Sequence, residues 1–263
     1  MSMEKLSSEE KFKKGERVTW LGIIGNILLT IFKFFAGIVG HSQAMFADGA
    51  ESLSDILATI VVLISLRVSR KPRDAEHQFG HGKAESLATA IVGMIVIIAG
   101  LYVLITSSRL LIGGKTRVPE TIALVAAVVT IVIKEIMYRI VSVVAKNLNS
   151  SVIMANAWDY RKDAISSVVT FFGIAGARLG FPILDPLVAA LVSFIIIKIG
   201  YDILHTATKE LMDTIPDNPT SEQIIAVAEE CKGVEHAVAR ARRMGQYVYV
   251  DMKIDINPDF TIS

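Results

Sequence analysis

Cysteine is almost missing from this chain of 263 residues, and the single Cys231 excludes internal disulfides and a thiolate metal cluster. It reads as a small buried residue. Charge of one sign is missing too: the formal net charge is +1, without the basic excess that a nucleic-acid surface demands. The first eighteen residues, rich in Lys and Glu, lack a short apolar run ending in a small-residue cleavage site. They are expected to form a polar tail, with the first apolar segment serving as its own insertion signal. What the chain has in excess is apolar side chains, 52% of the total, more than a soluble domain of this size hides from water. The bilayer is the expected solvent.

A membrane-crossing helix needs about 20 predominantly apolar residues. Six stretches meet that requirement: Trp20–Gly40, Gln43–Leu66, Leu87–Leu111, Ile122–Ala145, Val152–Leu179 and Pro182–Leu204. The first holds Asn26 and Lys33, and the fourth holds Lys134, Glu135 and Arg139. The second is polar in its first half, and the fifth opens on polar residues.

The connections alternate in character. Those at His41–Ser42, Gly113–Pro119 and Arg178–Pro182 are short and poor in basic residues, although Lys115 and Arg117 run against the trend. The tail carries Lys11, Lys13, Lys14 and Arg17, and the second connection carries Arg67, Arg70, Lys71 and Arg73. Arg139 and Lys146 mark the fourth. Basic loops stay cytoplasmic, so both termini are expected in the cytoplasm.

From about Asp213 the pattern changes. Pro216, Asn218-Pro219 and Thr220-Ser221 punctuate the chain, and Ser221 with Glu222 suits a helix start, running amphipathically to Cys231. Beyond Gly233, alternation at Tyr247, Tyr249, Met252, Ile254 and Ile256 predicts a strand, entered through a turn at Met244-Gly245-Gln246. A helix and two strands hold too little core to stand alone, so this module reads as truncated. The expected fold class is an all-α polytopic membrane domain with six transmembrane helices plus a small cytoplasmic α+β domain. Its boundaries are 1–18 for the cytoplasmic tail, 19–208 for the transport domain and 209–263 for the incomplete C-terminal domain.

The chemistry sits in the second and fifth spans. Asp48, Glu51 and Asp55 recur at i, i+3, i+7, and so do Asn156, Asp159 and Asp163, which stacks each set on one helix face. Residues Ala47 to Asp55 match Ala155 to Asp163 position for position by type, so the two faces are expected to do the same job. An ionised side chain at the bilayer centre costs about 2.5–3.5 kcal/mol, so several on two faces make sense where the faces meet around a cation. Glu51, Asp55, Asp159 and Asp163 offer four oxygen ligands to a divalent ion. Emptied of metal, four crowded carboxylates repel one another and draw protons, a physical basis for metal/proton exchange. The competing expectation is internal pairing with Lys33 and Lys134, since Arg161 and Lys162 point to other faces of the fifth span.

These residues and spacings resemble the cation diffusion facilitator family, from about Gly15 to Ser263. The most specific run is Phe79-Gly80-His81-Gly82-Lys83-Ala84-Glu85-Ser86, close to the family's F-G-H-G-K-x-E signature. Gly233-Val234-x-His236, followed by Arg240, Arg242-Arg243 and Gly245, looks like the opening of the family's C-terminal domain. The resemblance implies a multi-pass cell-membrane homodimer that exports divalent ions from the cytoplasm in exchange for protons, by alternating access. It implies a transport site at Glu51, Asp55, Asp159 and Asp163, with Asp48 and Asn156 as neighbours. It also implies a second, loop metal site at Asp74, His77 and His81, and an ionic interlock between Lys83 and Asp213 near a dimer axis.

Two departures matter. Zinc-type members place histidine in one or both paired motifs, whereas both first positions here are acids, and an all-oxygen site suits Mn²⁺ ahead of Zn²⁺ or Fe²⁺. Lys253 occupies a strand position where a histidine can occur, so His236 is not expected to bind metal. His41 and His205, near span ends, are expected to be interfacial. No prosthetic group is implied, and the metal is cargo. The chain is expected not to be an enzyme. The rival readings are a membrane-embedded metal-dependent enzyme, for which H-E-x-x-H and Ser/Lys pairings are missing, and a metal sensor or receptor. Ligand softness gives a direct prediction: Glu51→His shifts selectivity toward Zn²⁺ in a competition panel, and an unchanged Mn²⁺ preference contradicts it.

Overall fold

The apolar runs carry their prolines only at their edges, so nothing breaks a helix within them. A computed structural model describes residues 8–68, 82–114, 116–148, 150–214, 220–244 and 247–257. In chain order these hold α1 (Ser8–Val39), α2 (Gln43–Val68), α3 (Gly82–Gly113), α4 (Thr121–Leu148), α5 (Ser151–Arg178), α6 (Leu184–Leu211) and α7 (Ser221–Glu229), then strands β1 (Val234–Met244) and β2 (Tyr247–Ile256). Pro186 falls in the first turn of α6, where its missing N–H has no intrahelical partner to lose. The described part of the first helix begins at Ser8, well before the apolar run.

Even α2, at 26 residues, extends about 39 Å, enough to cross a hydrocarbon core of roughly 30 Å. Among the described residues, four stretches are both long and apolar enough to span: Trp20–Val39, Lys83–Gly113, Thr121–Leu148 and Leu184–Leu211. The other two long helices, α2 and α5, carry the acids. Their interruption of the apolar run separates these helices from the rest.

Residues 1–57 and 95–200 make one compact unit, and 58–94 with 201–263 a second. Within the first, α4 packs along α5 and against α1. Its buried positions are dominated by small side chains, among them Ala36, Ala47, Ala126, Ala127, Ala157 and Ala177. Large apolar residues such as Leu28, Ile31, Ile98 and Phe172 are exposed. Small residues inside and bulky apolar ones outside is what lipid selects, since helices there gain by close backbone approach. Gly173 shows the tolerance: a Cβ there would lie 2.8 Å from a methyl of Val188 on α6.

The turn between α1 and α2 is held from a distance. His41 adopts φ 50°, and Asp185, buried at the start of α6, accepts from Ser42 Oγ at 2.6 Å and from the Gln43 N–H at 2.7 Å. The carboxylate thus caps the N-terminus of α2, whose dipole favours it.

In the second unit, Lys83 Nζ lies 3.0 Å from Asp213 Oδ1, and Ser86 Oγ donates to Glu210 Oε2 at 2.9 Å. Arg242 approaches the other Asp213 oxygen at 3.7 Å. Helix α7 is capped by Thr220 rather than Ser221, in a capping box with Gln223 at the third helical position. The strands pair antiparallel, His236 opposite Asp255 and Arg240 opposite Asp251. Ala237, Ala239 and Ala241 form the buried face of β1, and α7 packs on that strand. Cys231 is exposed, not buried, because it follows the last turn of α7.

A candidate metal site where two acidic helix faces meet

Both acidic helices are pinned at their starts. The α2 N-terminus is capped by Ser42 and Asp185, and that of α5 by Ser150, whose side chain accepts from the Ile153 N–H. Helical periodicity then sets Asp48, Glu51 and Asp55 on one face of α2, and Asn156, Asp159 and Asp163 on one face of α5.

The two faces touch. Ser166 Oγ donates to Glu51 Oε2 at 2.6 Å, and Ser167 Oγ lies 3.0 and 3.2 Å from the two oxygens of Asp48. These serines sit one turn beyond Asp163 on α5, so the acidic face of α2 lies against the continuation of the acidic face of α5. The juxtaposition is made by side chains of both helices, with no loop intervening.

Two buried lysines enter this region from neighbouring helices. Lys33 of α1 lies 3.0 Å from Asp48 Oδ2, both side chains almost wholly buried, and donates to Ser52 Oγ at 2.9 Å. Lys134 of α4 lies 2.6 Å from Asp163 Oδ2 and donates at the same distance to Asn26 Oδ1 on α1. Its ammonium is 5.4 Å from the centre of the Tyr160 ring. Tyr160 fits because residue 22 is glycine; a Cβ there would collide with the phenol oxygen.

The four expected ligands are therefore in different surroundings. Glu51 and Asp163 are buried, Asp55 is half-buried and Asp159 is exposed, as is Asn156. Among the described residues, no three His, Cys, Asp or Glu side chains converge closely enough to hold a metal. Instead Lys134 holds Asp163 and Ser166 holds Glu51. Asp48, expected as a neighbour of the site, is engaged with Lys33. Five carboxylates against two buried lysines leave the region acidic. Trp158 packs on Tyr138, and Arg161 lies over the Tyr138 ring at 4.6 Å.

Other expected residues fall elsewhere. Asp74, His77 and His81, the loop site, lie outside the described residues. His236 is exposed, with Nδ1 3.4 Å from Glu229. A cavity of about 320 Å³ at the α1–α2 turn is lined in part by His41, Gln43, Arg117 and Asp185, and by none of the four carboxylates. Asn26 was noted in the sequence only as a polar interruption of the first span, and Ser166, Ser167 and Asp185 were missed. A polar residue in an otherwise apolar span is the signal that marks each.

Comparison with known proteins adds what geometry alone does not. A family model described as the cation efflux transmembrane domain matches residues 19–212. The chain is 36% identical to the magnetosome protein MamB of Magnetospira sp. (strain QH-2), covering 94% of this chain and 85% of that one. It is 36% identical to the manganese efflux system protein MneP of Bacillus subtilis (strain 168), covering 97% and 88%. It is 34% identical to the magnetosome protein MamM of Paramagnetospirillum magneticum, covering 93% and 78%.

The Lys33–Asp48 pair gives a stability prediction. Removing one partner of a buried ion pair strands the other charge, which typically costs about 3–5 kcal/mol. Asp48→Ala should lower the thermal unfolding temperature sharply, and adding Lys33→Met should recover most of the loss. Equal stability of Asp48→Ala and wild type would show the pair to be dispensable.

Proposed function

The chain belongs to the cation efflux, or cation diffusion facilitator, family, and from that premise we propose that it exports divalent metal ions from the cytoplasm in exchange for protons. The carrying observation is the contact between the acidic faces of α2 and α5, made by Ser166 with Glu51 and Ser167 with Asp48. Glu51, Asp55, Asp159 and Asp163 are the proposed ion ligands. Helices α2 and α5 complete a six-span bundle, with both termini cytoplasmic, because acids that line a shared polar path are tolerated in a bilayer where scattered ones are not. The protein works as a homodimer in the cell membrane, with the Lys83–Asp213 pair as the interlock near the dimer axis.

Mn²⁺ is the preferred cargo, ahead of Zn²⁺ and Fe²⁺. The donor set is all oxygen, which suits a hard ion, and one relative at 36% identity is a manganese efflux protein. Alternating access follows from the coupling of charge to occupancy. A divalent ion offsets part of the acidic excess, and protons offset it when the ion leaves, so the site crosses the membrane in either of two partly neutralised forms. Closing the helices around bare carboxylates is unfavourable in low dielectric, which ties movement to loading.

Proteoliposomes test this directly. Mn²⁺ uptake should be accompanied by counter-movement of protons reported by an internal pH dye, and Asp55→Ala should reduce transport by at least about tenfold. Wild-type rates in the Asp55→Ala protein would remove these acids from the transport path.

A further inference from the structure

The proposed transport site brings its own cation. Lys134 Nζ sits 2.6 Å from Asp163 Oδ2, and at the same distance from Asn26 Oδ1, with the Tyr160 ring below it. Both chains of the pair are buried. Asn26 and Tyr160 are neutral acceptors supplied by α1 and α5, so they hold an ammonium without cancelling its charge. Lys33 also has neutral acceptors, Ser52 at 2.9 Å and Ser167 at 3.4 Å, but its carboxylate, Asp48, is not among the four proposed ion ligands, whereas that of Lys134 is.

We propose that Lys134 is a tethered competitor of the transported ion: it occupies Asp163 when the site is empty, and rests on Asn26 and Tyr160 when the ion takes Asp163. This rests on the assignment of Asp163 as an ion ligand. A divalent ion arriving at Asp163 meets a carboxylate already bonded to a positive charge, and the two cations repel at close range. Ion binding and the Lys134–Asp163 bond therefore oppose each other, and the opposition is reciprocal. Asn26 and Tyr160 keep the displaced ammonium solvated, so displacement is not prohibitive. When the ion leaves, the lysine returns to the vacated oxygen and hinders rebinding. Lys134 is thus a positioning residue that weakens affinity and speeds release. Lys33 does not share the role, because the carboxylate it holds, Asp48, is not one of the proposed ion ligands.

The roles of Lys134 and Asn26 give opposite signatures. Mn²⁺ titration of the detergent-solubilised full chain should show Lys134→Gln binding on the order of tenfold more tightly than wild type, with slower dissociation in stopped flow. Asn26→Ala removes a resting acceptor and should bind severalfold more weakly, although alanine itself suits a helix. Lys134→Arg should keep an affinity close to that of wild type. Unchanged or weaker binding by a folded Lys134→Gln overturns the proposal. If that variant does not fold, Asn26→Ala decides, and wild-type affinity there overturns it equally. Asp163→Asn separates the two levels. Loss of binding there, with no tightening in Lys134→Gln, defeats only the competitor role, whereas wild-type binding by Asp163→Asn defeats the transport-site assignment and this inference with it.

Discussion

A carboxylate buried among apolar helices has to be paired, hydrogen-bonded or wetted, and most of what is distinctive in this chain follows from meeting that requirement several times over. Asp48 is met by Lys33 and Ser167, Glu51 by Ser166, Asp163 by Lys134, and Asp185 by the start of α2. Each compensating group comes from a different helix than the acid it serves. The acids therefore act as ties: α1 and α5 to α2, α4 to α5, and α6 to the α1–α2 turn. With lipid outside, apolar burial contributes little to holding helices together, and these polar contacts supply the specificity that a soluble core takes from packing.

The compensations are of two kinds. The Lys33–Asp48 pair is enclosed and backed by serines, in keeping with a fixed structural contact. The Lys134–Asp163 contact is shared with Asn26 and a ring face, and lies beside the half-buried Asp55 and the exposed Asp159. Both lysines have neutral acceptors beside their carboxylate, so what divides anchoring from exchange is which carboxylate each holds: Asp48 for Lys33 and the proposed ion ligand Asp163 for Lys134.

Much of this was legible in the sequence. The helices follow the apolar runs to within a few residues at most ends, and the pairing of acids on α2 and α5 was visible in the i, i+3, i+7 spacing. The strand pair was announced by alternation after Gly233. The division of labour between the lysines was not visible, because Lys33 and Lys134 look alike as isolated cations in apolar runs. Only packing reveals that one meets Asp48 and the other Asp163. The role of Asp185 was hidden for the same reason, as its donors lie 141 to 143 residues away along the chain. Thr220 was passed over as a cap because Ser221 beside it is an equally good capping residue, and the side chain of Gln223 decides between them.

The central claim is that ion and lysine contend for the same carboxylate between α2 and α5. It is tested most directly by an anomalous-scattering measurement on the full chain crystallised with Mn²⁺. The expected result is a manganese peak bonded to Asp163 and Asp55, with the Lys134 ammonium withdrawn to Asn26. A peak remote from these carboxylates, with Lys134 still bonded to Asp163, would contradict it.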